Sequence, residues 1–246
     1  MARQSVLSKN AETEANTPAA GAVVLLSGGI DSYTTAALAQ KKGFRCYALT
    51  VMYGQRHSCE IEAARRVAES LKVTEHKIIE LDLRSLGGSA LTSDEPVPKM
   101  SSSYSGTKPA IPPTYVPARN TILLSLALAW AEVLGVFDIF IGANAVDYSG
   151  YPDCRAEFIG SFEGLANLAT KAAVEEKGRF KIHAPVLYMT KSDIIKQGVE
   201  MELDYSMTHS CYDPDKQGRP CGQCDSCLIR LKGFNDAHLR DPVEYL

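Results

Sequence analysis

VVLLSGGIDSYTT, residues 23 to 35, runs a buried-looking apolar stretch into two glycines set among serines and an aspartate. A strand that ends in Gly28-Gly29 and enters a helix is a way to cradle an anion. Glycine accepts backbone conformations and close approaches that other residues resist. The first N–H groups of the helix face the ligand with the helix dipole behind them. The better known phosphate loop needs a Gly-Lys-Ser/Thr ending, and no such tripeptide occurs in the chain. Any phosphate here is held by backbone amides and by hydroxyls of Ser27, Ser32 and Thr34, with Asp31 placed to hold Mg2+. The expected contact set is Leu25, Leu26, Ser27, Gly28, Gly29, Ile30, Asp31, Ser32, Tyr33, Thr34 and Thr35. The plainer alternative is a strand-to-helix turn with Asp or Ser as its cap.

Around this stretch the chain alternates strand-like and helix-like segments. β-rich runs fall at 22–26, 46–51, 77–81, 136–142 and 180–186. Between them lie expected helices over 32–42, 58–72, 119–134 and 154–174, and another over 191–200. In the second of these, Ile61, Ala64, Val67, Ala68 and Leu71 recur at helical spacing. Thr190 with Asp193 reads as a capping box opening the last. Such alternation implies an α/β fold, a doubly wound parallel sheet of about five strands with helices on both faces. Ligands then bind beyond the carboxyl ends of the strands, at the switch point of strand order. That brings the loops after strands one, two and four, SGGIDS, YGQRH and GANAVDYSGYPDCR, to one crevice. A Ser-, Pro- and Gly-rich stretch over 84–118 is too long for an idle connection and suggests a lid or binding loop. Residues 1–20 read as a disordered tail, 21–203 as the α/β domain, and 204–246 as a turn-rich, cysteine-bearing region packed on it.

Composition narrows the class. The chain has 246 residues, 45% hydrophobic and 22% charged, enough for a substantial core. A net charge of −3 disfavours extended contact with a nucleic-acid backbone. The longest apolar segment, 121–137, is broken by Ser125 and Glu132 and reads as a core helix rather than a membrane span. A polar start without a signal-peptide pattern gives the expectation of a cytoplasmic protein. Seven cysteines in a reducing compartment then point to metal or catalysis, not to a disulfide framework.

The string SGGIDS resembles the pyrophosphate loop of the N-type ATP pyrophosphatases, which cleave ATP between its α- and β-phosphates and adenylate a substrate oxygen. Three further stretches sharpen the resemblance: YGQRHSCE (53–60), VPARN (116–120) and DYSGYPDCR (147–155). With the C-terminal cysteines they resemble the 7-cyano-7-deazaguanine synthase family of queuosine biosynthesis, over about residues 22 to 233. The leading tail and Gly54, where some members carry Asn, depart from the pattern. The resemblance implies a ligase that joins 7-carboxy-7-deazaguanine and ammonia at the expense of ATP, through carboxylate activation, amide formation and dehydration to the nitrile. It also implies ATP as cofactor and a homodimer; Mg2+ is expected from Asp31, free ammonia as nitrogen source from a length that leaves no room for a glutaminase domain, and no membrane or direct nucleic-acid partner from the composition. The alternative is a thiolating ATP pyrophosphatase that modifies tRNA and carries a C-terminal metal or iron–sulfur site.

Candidate residues follow. Arg119 opens an almost wholly apolar helix, so its guanidinium points to the crevice, where it offers bidentate contact to carboxylate or phosphate. With Asp31 and Ser32 it forms the expected catalytic set. Arg56 and His57 are placed to meet phosphate or the substrate carboxylate, and Asn120 either contacts substrate or caps the helix. Tyr148 and Tyr151 offer flat faces for a purine-like ring, and Asp147 or Asp153 an acceptor for its amino group. Cys221-x2-Cys224-x2-Cys227, with Cys211 upstream, gives four thiolates that suit structural Zn2+. An iron–sulfur cluster, a disulfide, or His209 replacing Cys211 remain open on spacing alone. The resemblance favours all four cysteines.

Overall fold

The computed structural model describes residues 19–54, 59–99, 111–147 and 150–246. Arg56, His57, Tyr148 and most of the expected N-terminal tail lie outside the described residues.

Five strands form one sheet: β1 (Gly21–Leu25), β2 (Arg45–Met52), β3 (Glu75–Glu80), β4 (Asp138–Phe140) and β5 (Lys181–His183). Their order is β3-β2-β1-β4-β5 and every pairing is parallel. Strands buried on both faces read as continuous apolar runs, and β1 shows why. Val23 and Leu25 point to one core, Ala22, Val24 and Leu26 to the other. The first core is covered by α3 (Arg119–Leu134) and α4 (Ala156–Ala169), through Leu124, Ala127, Leu128 and Phe162. The second is covered by α1 (Ile30–Lys41), α2 (Cys59–Ser70), α6 (Lys191–Glu200) and α7 (Asp225–Asp236), through Tyr33, Val67, Ile194, Ile195 and Phe234. Each such side chain contributes about 1.5–3 kcal/mol by leaving water, so both layers are held firmly on the sheet.

The order turns back between β1 and β4. The carboxyl ends of these strands therefore open the crevice that doubly wound folds use for ligands. Gly142, just past β4, permits this closure: a Cβ there would lie 2.9 Å from the Ser32 nitrogen.

The structure corrects the sequence reading at two places and adds detail at a third. The helix expected over 154–174 is divided into a 3-10 turn (Pro152–Cys154), α4, and the short α5 (Lys171–Val174). Thr170 breaks it by taking extended backbone (φ −106°, ψ 143°) while its hydroxyl donates to the Ala166 carbonyl. The turn-rich C-terminal region contains α7, whose inward face carries Ser226, Cys227, Arg230 and Gly233 beside a lone buried aromatic, Phe234, and so shows a weak apolar period. The described part of 84–118 is packed, with Ala90, Leu91, Val97 and Val116 buried.

Candidate nucleotide site and four-cysteine centre

The SGGIDS loop is braced from within. Ser32 Oγ accepts from the Ser27 backbone N–H (3.2 Å) and the Ser27 hydroxyl (3.1 Å), and donates to the Gly29 carbonyl (3.0 Å). The two glycines differ in role. Gly28 sits at φ +82°, and a Cβ there would stand 2.6 Å from the Ala64 nitrogen and 2.7 Å from the Glu60 carbonyl oxygen of α2. Gly29 has ordinary backbone angles, and its Cβ would meet only ordinary contacts at 3.6 and 3.7 Å. Gly28→Ala is thus expected to cost about 2–4 kcal/mol in urea unfolding, from overpacking plus backbone strain. Gly29→Ala should leave stability unchanged and weaken ATP binding in a titration, because there the open side of the loop is filled.

A cavity of about 210 Å³ opens against this loop. Deep in it, Lys191 Nζ lies 2.5 Å from Asp31 Oδ1 and 3.2 Å from Asp147 Oδ2. Lys191 starts α6, where a helix dipole disfavours positive charge. It is held there by the two carboxylates and by α7, whose Gly233 has room for no Cβ beside the Lys191 stem. Asp147 is presented by a loop that Asn144 ties down. Asn144 Oδ1 accepts from the Val146 and Asp147 N–H groups, and its Nδ2 donates to the Val186 and Met189 carbonyls. Burial pushes the Asp147 carboxyl up, and Lys191 opposes that shift. Two carboxylates against one ammonium leave a negative balance and hard oxygen donors, a set that fits a hard divalent cation.

The rest of the cavity is aromatic and cationic. Arg119 Cζ lies 6.0 Å from the Tyr53 ring centroid, and Tyr151 and Tyr212 complete the wall. Tyr151 shares a 2.8 Å hydrogen bond with Thr114. Glu60 also lines the cavity, and burial pushes its carboxyl up to about 7 against the pull of Arg119. Cys154 is a neutral thiol here, pushed up to about 11 by burial, which argues against a nucleophile.

The four cysteines Cys211, Cys221, Cys224 and Cys227 converge. Their sulfurs all lie within 4.8 Å of one another. Backbone N–H groups of Asp213 and Cys221 donate to Cys211 Sγ, and those of Gln223 and Cys224 to Cys221 Sγ. Tetrahedral bonds of ~2.3 Å set sulfurs roughly 3.8 Å apart around one ion. A cluster that interposes several irons needs them further apart, so the site fits a single metal ion. The segment leading into it rests on the glycine loop: the His209 N–H donates to the Gly28 carbonyl at 3.0 Å. Buried Arg230 pins that segment through Thr208, Ser210 and the Tyr205 carbonyl, and forks onto Asp241 of the C-terminal tail.

A family model described as Queuosine biosynthesis protein QueC matches residues 21–238. The chain belongs to the QueC family. It is 61% identical over 224 residues to a 7-cyano-7-deazaguanine synthase of Syntrophotalea carbinolica, covering 91% of this chain and 96% of that one. It is 58% identical over 224 residues to a protein of the same name from Geobacter metallireducens, covering 91% and 92%. Among solved structures, a 4-thiouridine synthetase in complex with RNA and bound ATP superposes with a TM-score of 0.50 at 18% identity. That likeness spans 89% of this chain and 50% of the other, and is one of fold.

For this QueC-family chain, Leu25, Leu26, Ser27, Gly29, Ile30, Asp31, Ser32, Arg119, Asn120 and Tyr151 of the expected set line one cavity. Others sit elsewhere. Thr34 is fully buried, bonded to the Ile30 carbonyl and the Tyr205 hydroxyl, and the Tyr33 hydroxyl pairs with Ser70. Thr35 is equally buried. These three sit in the core with α1 and are not part of the cavity lining. Asp153 is spent on α3: its Oδ2 accepts from the Asn120 N–H, while Asn120 Nδ2 donates to the Asp153 carbonyl and to Cys154 Sγ. The pair fixes the helix start from which Arg119 projects. Sequence reasoning missed Lys191, Glu60, Tyr53, Tyr212 and Arg230. A signal existed for Lys191, a cation at the first position of a capped helix. Glu60 in a first turn reads as an ordinary helix acid.

Proposed function

We propose that this chain is the ATP-dependent ligase that converts 7-carboxy-7-deazaguanine and ammonia into 7-cyano-7-deazaguanine. The observation that carries the reading is one cavity in which the glycine loop, the Asp31–Lys191 pair and an arginine among tyrosines meet. Activating a carboxylate with ATP requires the departing pyrophosphate to be held and its charge spread. The loop amides and the α1 dipole supply the first, and Lys191 helps with the second. Asp31 and Asp147 would hold Mg2+, which supplies further charge neutralisation when bound. Arg119 is suited to the substrate carboxylate, with Tyr53 and Tyr151 as flat walls for the heterocycle. Asn120 and Asp153 act on substrate through the α3 start they fix. Arg56 and His57, which lie outside the described residues, we keep for phosphate or substrate carboxylate.

Ammonia then displaces the nucleotide from the activated carbonyl and gives the amide. The amide oxygen is activated in turn and leaves with the phosphoryl group attached to it, so that the nitrile remains. No protein nucleophile is required, consistent with the neutral Cys154 thiol. Residues 204–246 we read as a wall of this site built on one structural Zn2+ per chain, held by Cys211, Cys221, Cys224 and Cys227. Sulfurs this close weigh against the iron–sulfur variant of a tRNA-thiolating enzyme. Thiolates gathered for a metal suit the reducing cytoplasm in which we place the protein. Among the described residues no helix is long and apolar enough to cross a membrane. A homodimer through α4 is supported by exposed Leu165 and Leu168 beside Gly160 and Gly164, which would admit a partner helix closely.

The test is mass spectrometry of the metal-replete protein given Mg-ATP, ammonium and 7-carboxy-7-deazaguanine. The nitrile is expected with ATP consumed. Absence of both amide and nitrile returns the reading to the superfamily and to a tRNA substrate.

A further inference from the structure

Ammonium is the dominant form of the nitrogen source near neutral pH, yet only ammonia has the lone pair that attacks a carbonyl. The site must therefore take a proton from an incoming cation. Asp31 cannot serve while it is paired with Lys191, and Asp153 is tied to the start of α3. Glu60 has a different setting. It projects from the first turn of α2, and its backbone carbonyl packs against the Gly28 position of the phosphate loop. It lines the same cavity as Arg119 and Tyr53.

We propose that the Glu60 carboxylate receives the ammonium ion in this cavity and removes its proton, delivering ammonia to the activated carbonyl. The inference rests on the ligase reading above. One N–H bond of ammonium breaks and its proton goes to the Glu60 carboxylate. The freed lone pair forms the C–N bond, and the C–O bond to the nucleotide breaks, its electron pair leaving with the phosphate. The nitrogen then sheds a further proton to water, which gives the neutral amide.

The surroundings suit a base that works near neutrality. Burial raises the Glu60 carboxyl to about 7, and Arg119 from α3 opposes this. Tyr53 from the end of β2 couples to both. Among the described residues, the other titratable groups lining the cavity are His209, from the segment on the glycine loop, Lys191 with Asp31, and Tyr151, Cys154, Tyr212 and Arg230. A carboxyl at about 7 is ionised above that value and protonated below it. The Glu60-dependent part of the ammonia rate therefore rises with pH through about 7 and then levels.

The experiment compares two nucleophiles on wild type and Glu60→Gln, a variant of equal size. Ammonium needs deprotonation, whereas hydroxylamine is largely neutral at neutral pH and yields a hydroxamic acid. Glu60→Gln is expected to lose roughly 100-fold or more with ammonium, the usual scale for a general base, and its pH profile to lose the limb near 7. Hydroxamate formation should stay close to wild type. An unchanged ammonium rate overturns the proposal. So does an equal loss with both nucleophiles, which would assign Glu60 to positioning or to the activation step. A wild-type protein that makes neither nitrile nor hydroxamate instead overturns the ligase reading on which the proposal stands.

Discussion

Asp31→Ala is expected to leave the protein folded and almost without turnover. Asp31 stands in the first turn of α1, with its carboxylate on Lys191 and its backbone in the phosphate loop. Its removal takes one oxygen ligand from the proposed cation site and one of two counter-charges from Lys191. The ammonium is not orphaned, because Asp147 stays at 3.2 Å. Nor is the helix loosened, since Ile30, Tyr33 and Ala36 keep α1 on the sheet. Loss of a preorganised charge contact costs about 100- to 1,000-fold in rate, and a fall of that size in kcat/KM for ATP is expected. The melting temperature should shift by only a few degrees. Ser32→Ala acts differently, since its hydroxyl braces the loop in three directions. Its loss should appear chiefly in KM for ATP. Steady-state pyrophosphate release beside a thermal melt separates the cases. Wild-type rates for both variants would sink the phosphate assignment, and activity lost in step with melting would mean that Asp31 serves only the fold.

What could be read from the sequence follows from how locally each feature is encoded. The parallel sheet was legible because its strands are apolar on both faces and bounded by glycine and polar turns. The loop was legible because Ser27, Gly28, Gly29, Asp31 and Ser32 act within six consecutive residues. The four-cysteine site was legible from its spacing. The cavity floor was not, since it joins Asp31 to Lys191 across 160 residues and to Asp147 through a loop shaped by Asn144. The expected contact range runs past the cavity lining because hydroxyls in a helix after a glycine loop look like donors to phosphate. In the fold the helix turns Thr34 and Thr35 into the core. Asp153 looked free for a ligand for the same reason: a loop aspartate gives no sign of the helix it will cap. The closing helix was hidden because, apart from Phe234, its buried stripe is serine, cysteine, arginine and glycine, with Cys227 in the four-cysteine site and Gly233 against Lys191.

Cys221→Ser is expected to abolish ATP binding while most of the sheet stays folded. The four sulfurs adjoin the segment of His209, Ser210 and Tyr212 that lines the cavity, so a metal held by them would act on that wall through short links. The Cys221 N–H donates to Cys211 Sγ, and two residues upstream of Cys211 the His209 N–H holds the Gly28 carbonyl. Arg230, three residues beyond Cys227, gathers Thr208, Ser210 and Asp241 onto the same segment. Lys99 adds an antiparallel bridge to Cys224 and an ion pair to Asp213, which ties the stretch before α3 to the knot. Binding energy of a structural metal is folding energy, so its loss should melt this region first. Wild-type protein should carry one zinc per chain. Cys221→Ser should lose it, become sensitive to protease after residue 204 and show no saturable ATP binding. Far-ultraviolet circular dichroism should stay near wild type. Iron with visible absorbance in the purified protein would replace the zinc assignment with a cluster. Metal loss with full ATP affinity would mean that Arg230 and Asp241 hold the wall without the ion, and would move the support of the nucleotide site from the sulfurs to that buried ion pair.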